Sequence, residues 1–259
     1  MTDWEFDLTN RVRTILGRPI QIEEQLAEVP DPRFAEMQVL TLARYMDDNQ
    51  EIMLKIRYEL RPESFGIRDQ AYLQTMRERA DDDYLEEVKL VEDVAEIGHG
   101  PAYLAHVTQR AGDMFPYPDG TVNFIIMTRV SGENVARIFL TLSNEQLESI
   151  RKQLAFILEH MRQRMFVLAH QSPHFLRYDR LTDRLYIVDF SYMSFTNPNA
   201  PASNPITVDH MYVLGFDIWH RGEFEPGRSG NTGGSGSSKR PQQGMYQDTS
   251  GENRPPLPR

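Results

Sequence analysis

Four features of this chain carry side chains that could do chemistry. Lys55 sits in MLKI, a lysine among apolar neighbours that look like a strand. Such a residue either turns its ammonium to solvent or points inward, and inward it requires an anionic partner, because a lone buried ammonium is costly. The acidic stretch after it, from Asp81 to Glu92, holds several candidate partners. Asp189 follows Leu185, Tyr186, Ile187 and Val188 at the mouth of an expected hairpin, where a carboxylate is placed to hold a cation or a backbone amide. The loop VLAHQSPH carries His170 and His174, four positions apart. With no third histidine or cysteine nearby they read as loop hydrogen-bonding groups rather than metal ligands. His99 and His106, flanking GPAYLA, read as structural, with GHGP a turn before an extended segment.

The elements that must position these groups follow from patterning. Gln21 to Glu28, Ala35 to Arg44 and Glu51 to Leu60 read as three strands of a meander, separated by VPDPRF and MDDNQ. Asp69 to Ile97 reads as two helices broken near Asp81 to Asp83, with Leu85, Val88, Val91 and Ala95 at helical spacing. Thr121 to Val130 is an apolar strand after the turn YPDG. Ser143 and Gln146 form a capping box that opens the clearest helix. Its stripe runs through Leu147, Ile150, Leu154, Ile157, Leu158, Met161, Met165 and Leu168. PHFLRYD and RLYIVDF make a hairpin around RLTD, and Val208 to His220 is expected as a last helix.

Composition bounds the function classes. The 259 residues suffice for one substantial domain or two small ones. A net charge of -10 gives nucleic acid and anionic lipid no general attraction, and zero cysteines exclude disulfides, thiolate zinc sites and thiol nucleophiles. No run of apolar residues is long enough for a membrane span and no secretory signal is visible, so a soluble intracellular, cytoplasmic protein is expected. After Glu225 the composition turns to glycine, serine and proline. Residues 226–259 are therefore expected to be a disordered tail, ending in RPPLPR, a segment proline-binding modules accept.

Taken in order, the pieces resemble the protein kinase-like fold, and in particular the small, divergent kinase-like proteins abundant in fungi. The resemblance spans roughly residues 20 to 220. It implies an α+β, two-lobe fold with a strand-rich lobe over about 1–130 and a reduced helical lobe over 131–225. EIMLKI resembles the third strand of the kinase amino-terminal lobe, which makes Lys55 the residue that pairs with nucleotide phosphates. LEEVKLVEDV resembles that lobe's helix, with Glu87 as the partner of Lys55, and Glu86 or Glu92 in its place if the register slips. NFIIMTRVSGEN resembles the strand and hinge, putting Met127 at the gate of the nucleotide pocket and Thr128 to Val130 along an adenine edge. IVDFS resembles the metal-binding turn, with Asp189 for magnesium, and Asp209 resembles the buried aspartate that braces the catalytic loop. ATP and magnesium are the cofactors this implies.

Departures from that pattern weaken catalysis. One alignment puts Val167, Ala169 and His174 at the histidine, aspartate and asparagine positions of the catalytic loop. Taking His170 as the motif histidine puts Ser172 at the aspartate position instead, so neither register supplies a carboxylate base. The turn AEVPDPRFAEM has no glycine to cradle phosphate, and its acidic side chains and prolines oppose an anion. Nineteen residues between Asp189 and Asp209 leave little room for a polypeptide-docking segment. The expected function is a pseudokinase that binds a protein or small-molecule partner without efficient phosphotransfer. The alternatives are an ATP-dependent small-molecule phosphotransferase and an adaptor that recruits partners through its proline-containing tail.

Overall fold

The computed structural model describes residues 4–219; the expected tail from 226 lies outside them. Among the described residues, the first lobe is an antiparallel sheet built from β1 (Val12–Ile15), β2 (Arg18–Asp31), β3 (Glu36–Tyr45), β4 (Glu51–Glu59), β5 (Tyr103–Arg110) and β6 (Thr121–Thr128). Its spatial order is β1-β2-β3-β4-β6-β5. The three-strand meander expected from sequence is present, and Lys55 pairs with Leu40 on β3 and Ile125 on β6. Central strands of a sheet covered on both faces read as nearly continuous apolar runs, and β3 and β4 are buried along almost their whole lengths. The sheet is curled so that its two edges approach. Arg13 on β1 donates to the carbonyls of Arg110 and Ala111 at 2.6 and 2.7 Å and to the Gln109 side chain at 3.0 Å. A core of Ile15, Ile20, Val39, Ile56, Phe124 and their neighbours fills the inside of this curl. Neither β1 nor the reach of Arg13 was legible beforehand, because VRTI is too short and too mixed to stand out.

Between β4 and β5 the chain crosses the sheet as one helix, α1 (Gln70–Glu96), with Asp69 capping the amide of Tyr72. The expected break at Asp81 to Asp83 is absent. Asp81 and Asp82 face solvent, and Asp83 forms an ion pair with Arg57 of the sheet, so the acidic run is accommodated without distorting the backbone. Leu85, expected in the packed stripe, is exposed. The buried stripe is Leu73, Met76, Ala80, Tyr84, Val88, Val91 and Val94.

The second lobe is led by α3 (Asn144–Gln163), preceded by β7 (Glu133–Asn134) and the single turn α2 (Val135–Ile138). The capping box of Ser143 and Gln146 forms as expected, and Leu147 to Met161 supply the buried stripe. Met165 lies beyond the helix in a left-handed turn and is exposed, while Leu168 is buried on β8 (Phe166–Leu168). The hairpin is β9 (Leu176–Asp179) and β10 (Arg184–Ile187), and β11 (Met193–Phe195) pairs with β8. The expected helix from Val208 shrinks to α4 (Met211–Leu214). His210 caps its start, and Asp217 adopts a left-handed conformation just after it; His220 lies outside the described residues. The result is an α+β arrangement of a sheet lobe and a small helical lobe. No helix among the described residues is long and apolar enough to cross a membrane.

The two lobes are fastened at defined points. Arg164 reaches Asp93 and Glu96 of α1 at 3.1 and 3.2 Å, and the His160 ring bonds the Asp93 carbonyl, so α3 holds α1 in place. In the segment linking the lobes, Gly132 adopts φ +88°, and a Cβ there would meet the Tyr178 backbone at 2.5 Å. Gly132→Ala is expected to lose on the order of 2 kcal/mol from combined backbone strain and collision, read as a lowered midpoint in denaturant unfolding. A midpoint equal to that of the unaltered chain would contradict this packing.

Candidate functional site

Side chains alternate along a strand, so Lys55 and Arg57 of β4 share one face, turned toward α1. On α1, Asp83 and Glu87 are four residues apart and therefore also share a face. Lys55 and Arg57 are 1 % exposed, and the partners that bury with them are named by geometry. The Lys55 ammonium donates to Asp189 Oδ1 at 2.5 Å and to Ser191 Oγ at 2.6 Å, and Glu87 Oε1 stands at 3.5 Å. Of the three carboxylates weighed for Lys55, Glu87 takes the position; Glu86 lies near Lys89 on the outer side. Arg57 binds Glu36 at 2.9 Å, Asp83 at 3.0 Å and Glu87 at 3.3 Å. Lys55 is thus an inward lysine, and the solvent-facing alternative is set aside.

Arg57 and Ser191 are the members of this network that sequence reasoning missed as partners. Arg57 was findable two positions from Lys55 on the same strand face. The role of Ser191 was not, since its hydroxyl accepts from Lys55 while donating to Asp189 Oδ1 at 2.7 Å. Asp189 Oδ1 also accepts the Ser191 amide, whereas Oδ2 is buried without a partner.

Burial pushes the Glu36 carboxyl up to about 7, against the pull of Arg57, with Asp31 and Asp83 adding to the rise. Burial works against the charged Arg57 guanidinium too, but Glu36, Glu87 and Asp83 outweigh it and carry its pKa above the usual value.

The rim of the site is closed. The Tyr192 hydroxyl donates to the Pro30 carbonyl, and the Arg33 guanidinium lies 5.9 Å from the Tyr192 ring centre, so the β2–β3 turn is clasped onto the turn after Asp189. The acidic residues of that turn, expected to repel phosphate, are matched internally: Asp31 by Arg33 at 2.7 Å and Glu36 by Arg57. Behind the clasp, Leu26, Ala27, Leu40, Met53, Met127, Leu176 and Val188 belong to one buried cluster. Met127 is buried opposite Met53, and the Thr128 amide and hydroxyl both bond Ala102; Val130 packs partly buried against the same cluster. A cavity of about 430 Å³ lies elsewhere, between β8 and the 196–212 segment, lined by Arg162, Asn197, Ser203 and His210 among others.

The catalytic-loop positions stay apart from this network. Val167 is buried in β8, and Ala169 bonds the Tyr192 carbonyl through its amide. His170 stacks edgewise on Phe175 and Tyr192, and His174 is exposed. Asp209 corrects the expectation of a buried brace. Its side chain is 80 % exposed and pairs with Arg151 at 2.7 Å, because His210 rather than Asp209 caps α4 and the helix is too short to bury its start.

As packed here, with Lys55 already paired, the residues leave no place for the implied cofactors. Magnesium takes six oxygens in near-octahedral geometry. Asp189 offers one free oxygen, and no group of three or more potential ligands converges among the described residues. A nucleotide phosphate meets a lysine that already donates to Asp189 and Ser191 and is paired with Glu87.

No family model matches this chain, and no curated protein matches it. Many solved structures are similar to it, two kinases among them. One is a kinase of Cydia pomonella granulovirus, PK-1, with a TM-score of 0.44 and 15 % identity, covering 69 % of this chain and 53 % of that one. The other is vaccinia related kinase 3, with a TM-score of 0.44 and 14 % identity, covering 77 % and 56 %. The chain spans about half the length of each.

Two predictions follow from the buried network. Removing one partner strands another charge, so Lys55→Met is expected to cost about 3–5 kcal/mol. Lys55→Met combined with Asp189→Asn should cost less than the sum of the single changes by on the order of 2 kcal/mol, measured by denaturant unfolding. Additive costs would show that the two side chains do not meet. The raised Glu36 carboxyl binds its proton more tightly folded than unfolded. Its contribution is fully present below pH 4.5 and is lost as pH rises through about 7. The unaltered chain should therefore lose stability relative to Glu36→Gln by roughly 3 kcal/mol between those limits. Parallel stability curves would refute the assignment.

Proposed function

We propose that this chain is a pseudokinase-like binding module whose interlobe groove is closed by its own side chains and which does not transfer phosphate efficiently. One observation carries the reading: Lys55, the group that would meet a nucleotide phosphate, is fully buried and neutralised by Asp189 and Glu87. The absence of a carboxylate at Ala169 or Ser172 supports it, since phosphoryl transfer then lacks a group to orient the acceptor hydroxyl. Binding of a protein or a small ligand then falls to surfaces outside the closed groove, in an intracellular setting.

A second reading is supported by the same geometry. Lys55, Glu87 and Asp189 converge as a phosphotransferase would need them, so an opened form could bind ATP and magnesium and act on a small molecule. The adaptor reading rests on the 226–259 tail, which lies outside the described residues. Isothermal titration of MgATP into the full chain separates the first two. The sealed-groove reading predicts no saturable heat and no release of labelled phosphate. Saturable heat that disappears with Asp189→Ala, accompanied by turnover, would replace it with the phosphotransferase reading.

A further inference from the structure

Arg177 on β9 is a partly buried guanidinium that forms no ion pair with a described carboxylate. One terminal nitrogen donates to the Gly132 carbonyl, and Nε is buried with no partner. Charges taken out of water are normally paired, so a guanidinium left in this state is an unfilled half of an interaction. The surroundings add positive charge. Strand pairing sets Arg177 opposite Asn134, three residues before Arg137 on α2, and Arg129 lies three residues before the Gly132 acceptor. Arg129 is bound to Glu23 and Glu51, and Arg137 holds Glu24 only through exposed contacts of 3.3 and 3.4 Å, of the kind an incoming anion displaces at little cost.

We propose that Arg177 and Arg137, with Arg129 adding charge, form an oxyanion site beside the β7–β9 pair, taking a phosphate or carboxylate group of a small ligand. The planar fork of a guanidinium matches both groups, and two forks from β9 and α2 can meet one group from two sides. Burial, followed by the charge of Arg129, pulls the Arg177 pKa below its ordinary value, and Glu24 and Glu133 only partly oppose this. An anion meeting the terminal nitrogens of Arg177 offsets the cost of holding its charge partly out of water. The proposal does not depend on whether the groove opens.

The test is titration of the full chain with inorganic phosphate and, separately, with citrate, at ionic strength held constant with sodium chloride. Binding is followed by calorimetry and by the thermal midpoint. At least one anion should bind saturably and raise the midpoint above the sodium chloride control. Tighter phosphate assigns a phosphoryl ligand and tighter citrate a carboxylate. Arg177→Lys should weaken binding about tenfold through loss of the fork, and Arg137→Gln about threefold. The Arg137 side chain is 63 % exposed, so its replacement leaves the core intact and keeps the test valid if Arg177→Lys folds poorly. Midpoints no higher than with chloride, or equal affinity in Arg137→Gln and the unaltered chain, would overturn the proposal.

Discussion

A buried ammonium that cannot stand alone organises this molecule. Lys55 lies at the centre of the sheet with 2 % of its side chain exposed, and the energy of leaving it unpaired exceeds what a domain of this size has to spare. It therefore fixes where Asp189 and Glu87 must be, and through them the distance between the sheet, α1 and the turn after β10. Arg57 extends the constraint along the same strand face, so that α1 is held by Asp83 and Glu87 together. Two cations facing four carboxylates leave surplus negative charge in a dry region, and the raised Glu36 carboxyl relieves that surplus.

The closure that hides this network is local and polar. Tyr192 and Pro30 join the two turns that would have to part for a ligand to enter, while His160 and Arg164 hold α1 against α3 from the other side. Lys55, Asp189 and Glu87 thus serve as an internal salt-bridge network.

Much of the scaffold was legible because it follows from periodicity. The capping box at Ser143, the β9–β10 hairpin and the β2–β3–β4 meander are local patterns, and each formed within a few residues of its expected bounds. The errors arose where tertiary contacts overrode local signals. Asp83 found Arg57 and the helix ran on, while α4 ended where Asp217 turned the chain. At the site, Lys55, Glu87 and Asp189 were identified as a set by resemblance, and the structure brings them together. Asp209 was misplaced, because its expected burial needed a longer helix than the chain forms. The clasp of Tyr192 on Pro30 and the unpaired Arg177 had no sequence signature, since both depend on carbonyls whose direction only the fold sets.

Amine acylation of the native chain, mapped residue by residue by mass spectrometry, examines the central claim most directly. Lys89 and Lys152, with side chains 53 % and 67 % exposed, should react rapidly, and Lys55 should react only at the rate of global unfolding. Modification of Lys55 as fast as that of Lys89 and Lys152 under native conditions would show that the ammonium meets solvent and that the groove is open.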